Sequence, residues 1–150
     1  MTVEANRDLF VTMLNALGRK DYDTFEACLA DDILLEWPFP VMDGFPTEHR
    51  GARWFREALE TSWVDFDPYA YQIEAIHMLT DPGTLVAEYS SHSRYLPTST
   101  PYSNRYVSVV DIANGRIVRW REYVNPSIVA AILGQKAVWK ESSGATVGLE

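Results

Sequence analysis

A single cysteine, Cys28, stands in a chain of 150 residues. One thiol cannot close an internal disulfide, so a disulfide-stapled secreted scaffold is excluded. Basic residues are scarce as well: 13 Lys and Arg against 21 Asp and Glu leave a formal net charge of −8. No Lys/Arg cluster is present to track phosphates, which argues against nucleic acid and anionic membranes as partners. No apolar run approaches the ~20 residues needed to span a bilayer, and no charged start precedes an apolar stretch. The chain therefore reads as cytoplasmic. It has no Gly-rich phosphate loop, no Gly-x-Ser-x-Gly elbow and no His/Cys/Asp/Glu spacing of a metal site. Neither a metal nor another cofactor is expected. Cys28, on the apolar side of a short helix with no base partner in view, reads as a small core residue.

Apolar residues make up 47% of the chain and aromatics 13%, enough for a sizeable core. Positions 1–150 read as one domain, with a Ser/Gly-rich tail from Glu141 expected to be mobile. Leu9, Phe10, Met13, Leu14 and Leu17 recur at helical spacing, and Gly18 is a natural stop. Asp21 can cap a second helix carrying Tyr22, Phe25, Cys28 and Leu29. A strand over Ile33 to Trp37 then runs into a Pro/Gly-rich segment, Pro38 to Arg50, read as an irregular rim loop. A third helix follows to Trp63, with Trp54, Phe55, Ala58, Leu59 and Ser62 on one side. Strands are expected over Tyr69 to Thr80 and Thr84 to Leu96, and a final helix after Asn125-Pro126 runs to Gly134. Helices first, then a run of antiparallel strands, indicate an α+β fold.

The strongest local signal is Tyr102 to Asn125, two alternating β-rich runs around Asn114-Gly115. Alternation along the second run puts Val118, Trp120, Glu122 and Val124 on one face, with Ile117, Arg119, Arg121 and Tyr123 on the other. The first face looks apolar. Glu122 is then a carboxylate aimed at the core or at a pocket, where desolvation raises its pKa.

Three segments resemble the SnoaL-like branch of the nuclear transport factor 2-like superfamily. They are LADDILLEWPFP at Leu29 to Pro40, HRG before a helix at His49 to Gly51, and NGRIVRWREYVNP at Asn114 to Pro126. That family includes limonene epoxide hydrolase, ketosteroid isomerase, polyketide cyclases and the phenazine-biosynthesis A/B proteins. The resemblance covers roughly residues 5 to 135. It implies a cone of curved antiparallel sheet (a cystatin-like α+β barrel) around the N-terminal helices, with a pocket inside the cone, and a homodimer. It also implies that Glu122 stands where epoxide hydrolase-like members carry a catalytic Asp and phenazine A/B proteins a catalytic Glu.

The departures are informative. The Arg and Asp partners of the epoxide hydrolase pattern fall at Tyr89 and Ser91, and its water-holding Tyr and Asn at Leu35 and Trp37. The steroid-isomerase base falls at Trp37 and its oxyanion Asp near Val107, while the phenazine-type His falls at Ala58. No named activity carries over intact.

Glu122 keeps two readings: a general acid/base, or a structural acid paired with an arginine. By the same resemblance, Trp37, Phe55, Leu59, Tyr89, Ser91, Asn104, Tyr106 and Trp120 line the pocket, with His92 as a minority candidate because its parity points away. The resulting expectation is a cofactor-free enzyme performing isomerisation, cyclisation, dehydration or condensation on a small apolar or aromatic carbonyl or hydroxyl compound. Asn104, Tyr89 or Ser91 would steady developing charge. The alternative is a non-catalytic ligand-binding or dimerisation module of the same fold.

Overall fold

The computed structural model describes residues 2–134, 137–140 and 144–147. Helix α1 (Val3–Gly18) starts at Thr2, whose hydroxyl accepts from the Ala5 amide, and buries Phe10, Met13, Leu14, Ala16 and Leu17. Gly18 is the last residue of this helix, as expected. There the segment carrying Tyr69 and Tyr71 passes so closely that a Cβ would lie 3.4 Å from the Tyr71 ring and 3.5 Å from the Tyr69 carbonyl. The chain reverses two residues later, where Lys20 takes φ +60° and its ammonium group donates to the Trp63 and Phe66 carbonyls. Asp21 caps α2 (Tyr22–Ala27) by accepting from the Thr24 amide.

Strand β1 (Leu29–Glu36) begins earlier than the apolar run at Ile33 indicates, and β2 (Glu48–Arg50) lies inside the segment expected to be irregular. Helix α3 (Ala52–Ser62) and a 3₁₀ turn (Trp63–Asp65) lead into three long strands: β3 (Phe66–Met78), β4 (Thr84–Tyr95) and β5 (Thr100–Ala113). Strand β6 (Arg116–Val124) returns through the Asn114-Gly115 turn, where both residues have positive φ (54° and 74°), as a tight hairpin requires. Asn125 caps α4 (Pro126–Leu133) by accepting from the Ser127 amide, Pro126 opens it, and Gly134 ends it at φ +92°. A short hairpin follows, β7 (Ala137–Lys140) with β8 (Gly144–Val147), so part of the expected mobile tail is a paired strand. Positions 141–143 and 148–150 of that tail lie outside the described residues.

The main sheet has the order β2-β1-β6-β5-β4-β3 and is curled without closing. Its neighbours are antiparallel except β1 and β6, which run parallel, a pairing that local patterning does not reveal. One irregularity changes the reading of β6. Asp111 pairs with Arg119 but Ile112 pairs with Ile117, so Val118 is an extra residue on β6. The bulge turns Ile117 inward to full burial, while Val118 is only partly buried. Beyond it the alternation holds: Trp120 and Val124 are buried, with Glu122 between them.

Helices α1 to α3 cover the concave face of the sheet. Their apolar residues and those of β1, β4, β5 and β6 form one core cluster containing Phe10, Phe25, Leu29, Leu85, Val110 and Ile117. A satellite cluster of Tyr95 and Leu133, packed with Met42, Phe66, Val129 and Ile132, seats α4 at one end.

Candidate active site

The core is not filled completely. Between the concave sheet and the helices lies a cavity of about 160 Å³. The sheet contributes Tyr69, Tyr71, Tyr102, Tyr106, Trp120 and Glu122 to its wall, and α3 contributes Trp54, Phe55, Ala58 and Leu59. Trp37, Val41, Met42 and Phe45, on or next to the 38–47 loop, close another side, and α4 adds Val129, Ile132 and Leu133. Trp139 of β7 adds to the wall: its backbone N–H donates to the Asp43 carbonyl at 2.9 Å and its ring packs on Phe45, 5.0 Å between centroids. No Lys, Arg or His lines this space among the described residues.

Glu122 is the only carboxyl on the cavity among the described residues. It borders the space while protein packs around it, and desolvation raises its pKa from the ordinary 4.5 to about 7. The opposing influence is one hydrogen bond, from the Tyr89 hydroxyl to Oε2 at 2.6 Å. Tyr89 also lies 2.6 Å from Ser108 Oγ, which accepts from the Trp120 indole N–H at 2.9 Å. Register explains the cluster: Ser108 faces Glu122 directly across β5 and β6, and Tyr89 is diagonal to Ser108 across β4 and β5. No arginine of a neighbouring strand or loop pairs with Glu122 among the described residues. Arg119 and Arg121 turn to the opposite face, where both meet Glu36 of the parallel neighbour β1.

A second polar group lies along the same wall. The Tyr106 hydroxyl is 2.6 Å from Ser91 Oγ but 3.4 Å from the Tyr69 hydroxyl and 3.5 Å from that of Tyr102. The Tyr102 oxygen already accepts from Asn104 Nδ2 at 3.1 Å. Four hydroxyl protons thus share one short bond and two long ones, which leaves one proton to spare, and two weakly held, for an acceptor atom in the cavity. Burial raises the pKa of Tyr69, Tyr102 and Tyr106, so these hydroxyls keep their protons.

Of the residues expected in the pocket, Glu122, Trp37, Phe55, Leu59, Tyr106 and Trp120 border the cavity. Tyr89, Ser91 and Asn104 do not; they stand behind its wall. Tyr89 and Ser91 each bond a wall residue. Asn104 is satisfied by the protein itself: Nδ2 donates to Tyr102 and to the Asn125 carbonyl, and Oδ1 accepts from the Arg105 amide. His92 lies on the outer face, exposed, against Ser90 and Ser103. Tyr69, Tyr71 and Tyr102 are wall residues not singled out from the sequence, although Tyr69 and Tyr71 carry the alternation that would have identified them. Trp139, beyond the last helix, carried no such signal. No group of three His, Cys, Asp or Glu residues stands close enough to hold a metal ion among the described residues. No helix there is long and apolar enough to cross a membrane.

This architecture has known counterparts. A candidate isomerase from Bacillus subtilis superposes with a TM-score of 0.81 at 22% identity, over 90% of this chain and 97% of that one. An LEH-like epoxide hydrolase from Mycobacterium tuberculosis superposes with a TM-score of 0.66 at 26% identity, covering 87% of this chain and 84% of that one. The uncharacterised protein YesE of Bacillus subtilis is 25% identical over 125 residues, spanning 83% of this chain and 84% of its own. The family model for the SnoaL-like domain matches residues 10–120, so the chain belongs to the SnoaL-like family and has the nuclear transport factor 2-like fold.

Proposed function

We propose that this protein is a cofactor-free enzyme of the cytoplasm in which Glu122 moves a proton on a small, uncharged, carbonyl- or hydroxyl-bearing compound. The carrying observation is a lone carboxyl on an apolar cavity, partnered by a tyrosine hydroxyl and, among the described residues, by no cation. An acid that titrates near neutrality serves as both base and acid under working conditions, as general acid–base chemistry requires. The Tyr69, Tyr102 and Tyr106 hydroxyls take the place expected for Asn104, Tyr89 and Ser91 as donors to a carbonyl oxygen. When Glu122 removes a proton from the neighbouring carbon, the C–H electron pair moves toward that oxygen, and these donors stabilise the charge. Return of the proton at another atom gives isomerisation. Cyclisation, dehydration and condensation begin from the same step.

Two features favour an uncharged, one-ring ligand. The volume matches that of a ~150 Å³ cavity known to hold benzene. With no cation in the wall, a carboxylate or phosphate entering beside Glu122 has nothing to offset its desolvation. Neutral single-ring ketones and phenols should therefore quench the fluorescence of Trp37, Trp54 and Trp120, which border the space. Benzoate at pH 8 should not. Benzoate binding as tightly as its neutral counterparts would overturn the assignment. Saturable binding without turnover of any bound carbonyl compound would favour a ligand-binding module instead.

Membership of the family further supports a homodimer. Sedimentation should show self-association, and a monomer at every concentration would rule it out.

A further inference from the structure

The hydrogen bonds behind Glu122 run in one direction. An indole N–H donates and never accepts, so the Trp120 end of the chain is set: its proton goes to Ser108 Oγ at 2.9 Å. The Tyr89 hydroxyl has one proton and two neighbours at 2.6 Å, Ser108 Oγ and Glu122 Oε2. With Glu122 ionised, that proton belongs to the carboxylate, and Ser108 donates its own to the tyrosine oxygen. Every proton is then used. Reversing the chain, with Glu122 donating to Tyr89 and Tyr89 to Ser108, strands the serine proton. Ser108 is fully buried and its side chain has no other hydrogen-bond partner among the described residues.

We propose that Tyr89 and Ser108 are positioning residues: anchored by the Trp120 indole, they hold Glu122 through Oε2 and leave Oε1 as the atom that exchanges a proton with the ligand. When Oε1 accepts a proton, Tyr89 goes on donating to Oε2, so nothing in the chain has to reorganise. The chain also ends on a group that cannot take up a proton, so it drains none from the site. A proton taken from the ligand stays at the cavity until it is handed back.

The titratable groups around Glu122 are Tyr71 from β3, Tyr89 from β4, and Tyr102 and Tyr106 from β5. The cavity-lining residues of α1, α3 and α4 contribute none. A change in the Glu122 titration can therefore be assigned to the relay and not to a competing charge.

The inference rests on Glu122 as the proton-transfer group, and its test needs no turnover. Free protein carrying ¹³C-carboxyl glutamate and ¹⁵N-indole tryptophan is titrated by NMR, and Glu122→Gln identifies the Glu122 signal by its loss. In the unaltered protein the Trp120 indole resonance should move with the same midpoint as the Glu122 carboxyl. Tyr89→Phe should raise that midpoint by about one pH unit, because the bond it deletes favours the charged form. The same change should detach the Trp120 resonance from the titration. Ser108→Ala, a smaller alteration, should also detach it and gives the same comparison if Tyr89→Phe does not fold. An indole resonance indifferent to Glu122, or one that follows it undiminished in both variants, overturns the relay. Coupling in a protein that turns over no carbonyl compound sinks the acid–base function alone. Turnover without coupling sinks the relay alone.

Discussion

Glu122→Gln is expected to lower turnover by about 10²- to 10⁴-fold while making the protein more stable at pH 8. The loss follows from removing the group that carries the proton; an amide of the same shape still accepts from Tyr89 but cannot ionise. The gain follows from linkage. In the unfolded chain Glu122 titrates near 4.5, and in the folded protein near 7. Between those values the folded state keeps a proton that the unfolded state has lost. Stability therefore falls as pH rises through this window and levels off above it. Glutamine is neutral throughout and escapes the penalty. The two proteins should unfold at similar urea concentrations near pH 4 and diverge by about 3 kcal/mol at pH 8. Equal stability at both pH values would show that the carboxyl is not desolvated as described. Full turnover in the variant would remove Glu122 from the chemistry.

Phe10→Ala should be the most damaging of the core substitutions that touch the site. Phe10 is fully buried on α1, and its ring meets Tyr89 edge-on with centroids 5.9 Å apart. Removing it loses the transfer energy of a phenyl group and leaves a void, a combined cost of about 3 to 5 kcal/mol. Against a typical domain stability of roughly 5 to 15 kcal/mol, that shifts the melting temperature by roughly 10 °C. The void opens against the ring of Tyr89, whose hydroxyl holds Glu122, so the variant should also bind the neutral ketones more weakly. A loss below about 1 kcal/mol in urea unfolding would mean that α1 collapses onto Tyr89, and that its packing does not hold the relay in place.

Much of this molecule is legible in its amino-acid sequence, because the relevant physics is local. A two-residue turn with both φ positive selects Asn114-Gly115, and a side-chain cap followed by proline selects Asn125-Pro126. Helical spacing identifies α1 and α3, and alternation beyond Trp120 places Glu122 on the concave face. The same alternation misplaces Val118 and Ile117, because a bulge depends on the register of β6 against β5. It also merges two classes of inward residue. Tyr89, Ser91 and Asn104 do point inward, but they meet other protein groups and not empty space.

The sequence by itself determined the four helices, the long strands, their order and the inward face that carries Glu122, since turn chemistry, capping and periodicity act within a few residues. The short strands β2, β7 and β8 carried no such local signal. Tertiary structure alone decided where the cavity lies and how Glu122 is partnered. Both depend on contacts between positions far apart: the register of β4, β5 and β6, which brings Tyr89 and Ser108 to Glu122, and Trp139 packing across Phe45. The carboxyl is left with a tyrosine for company because the neighbouring strands bring a hydroxyl and no arginine to its face among the described residues.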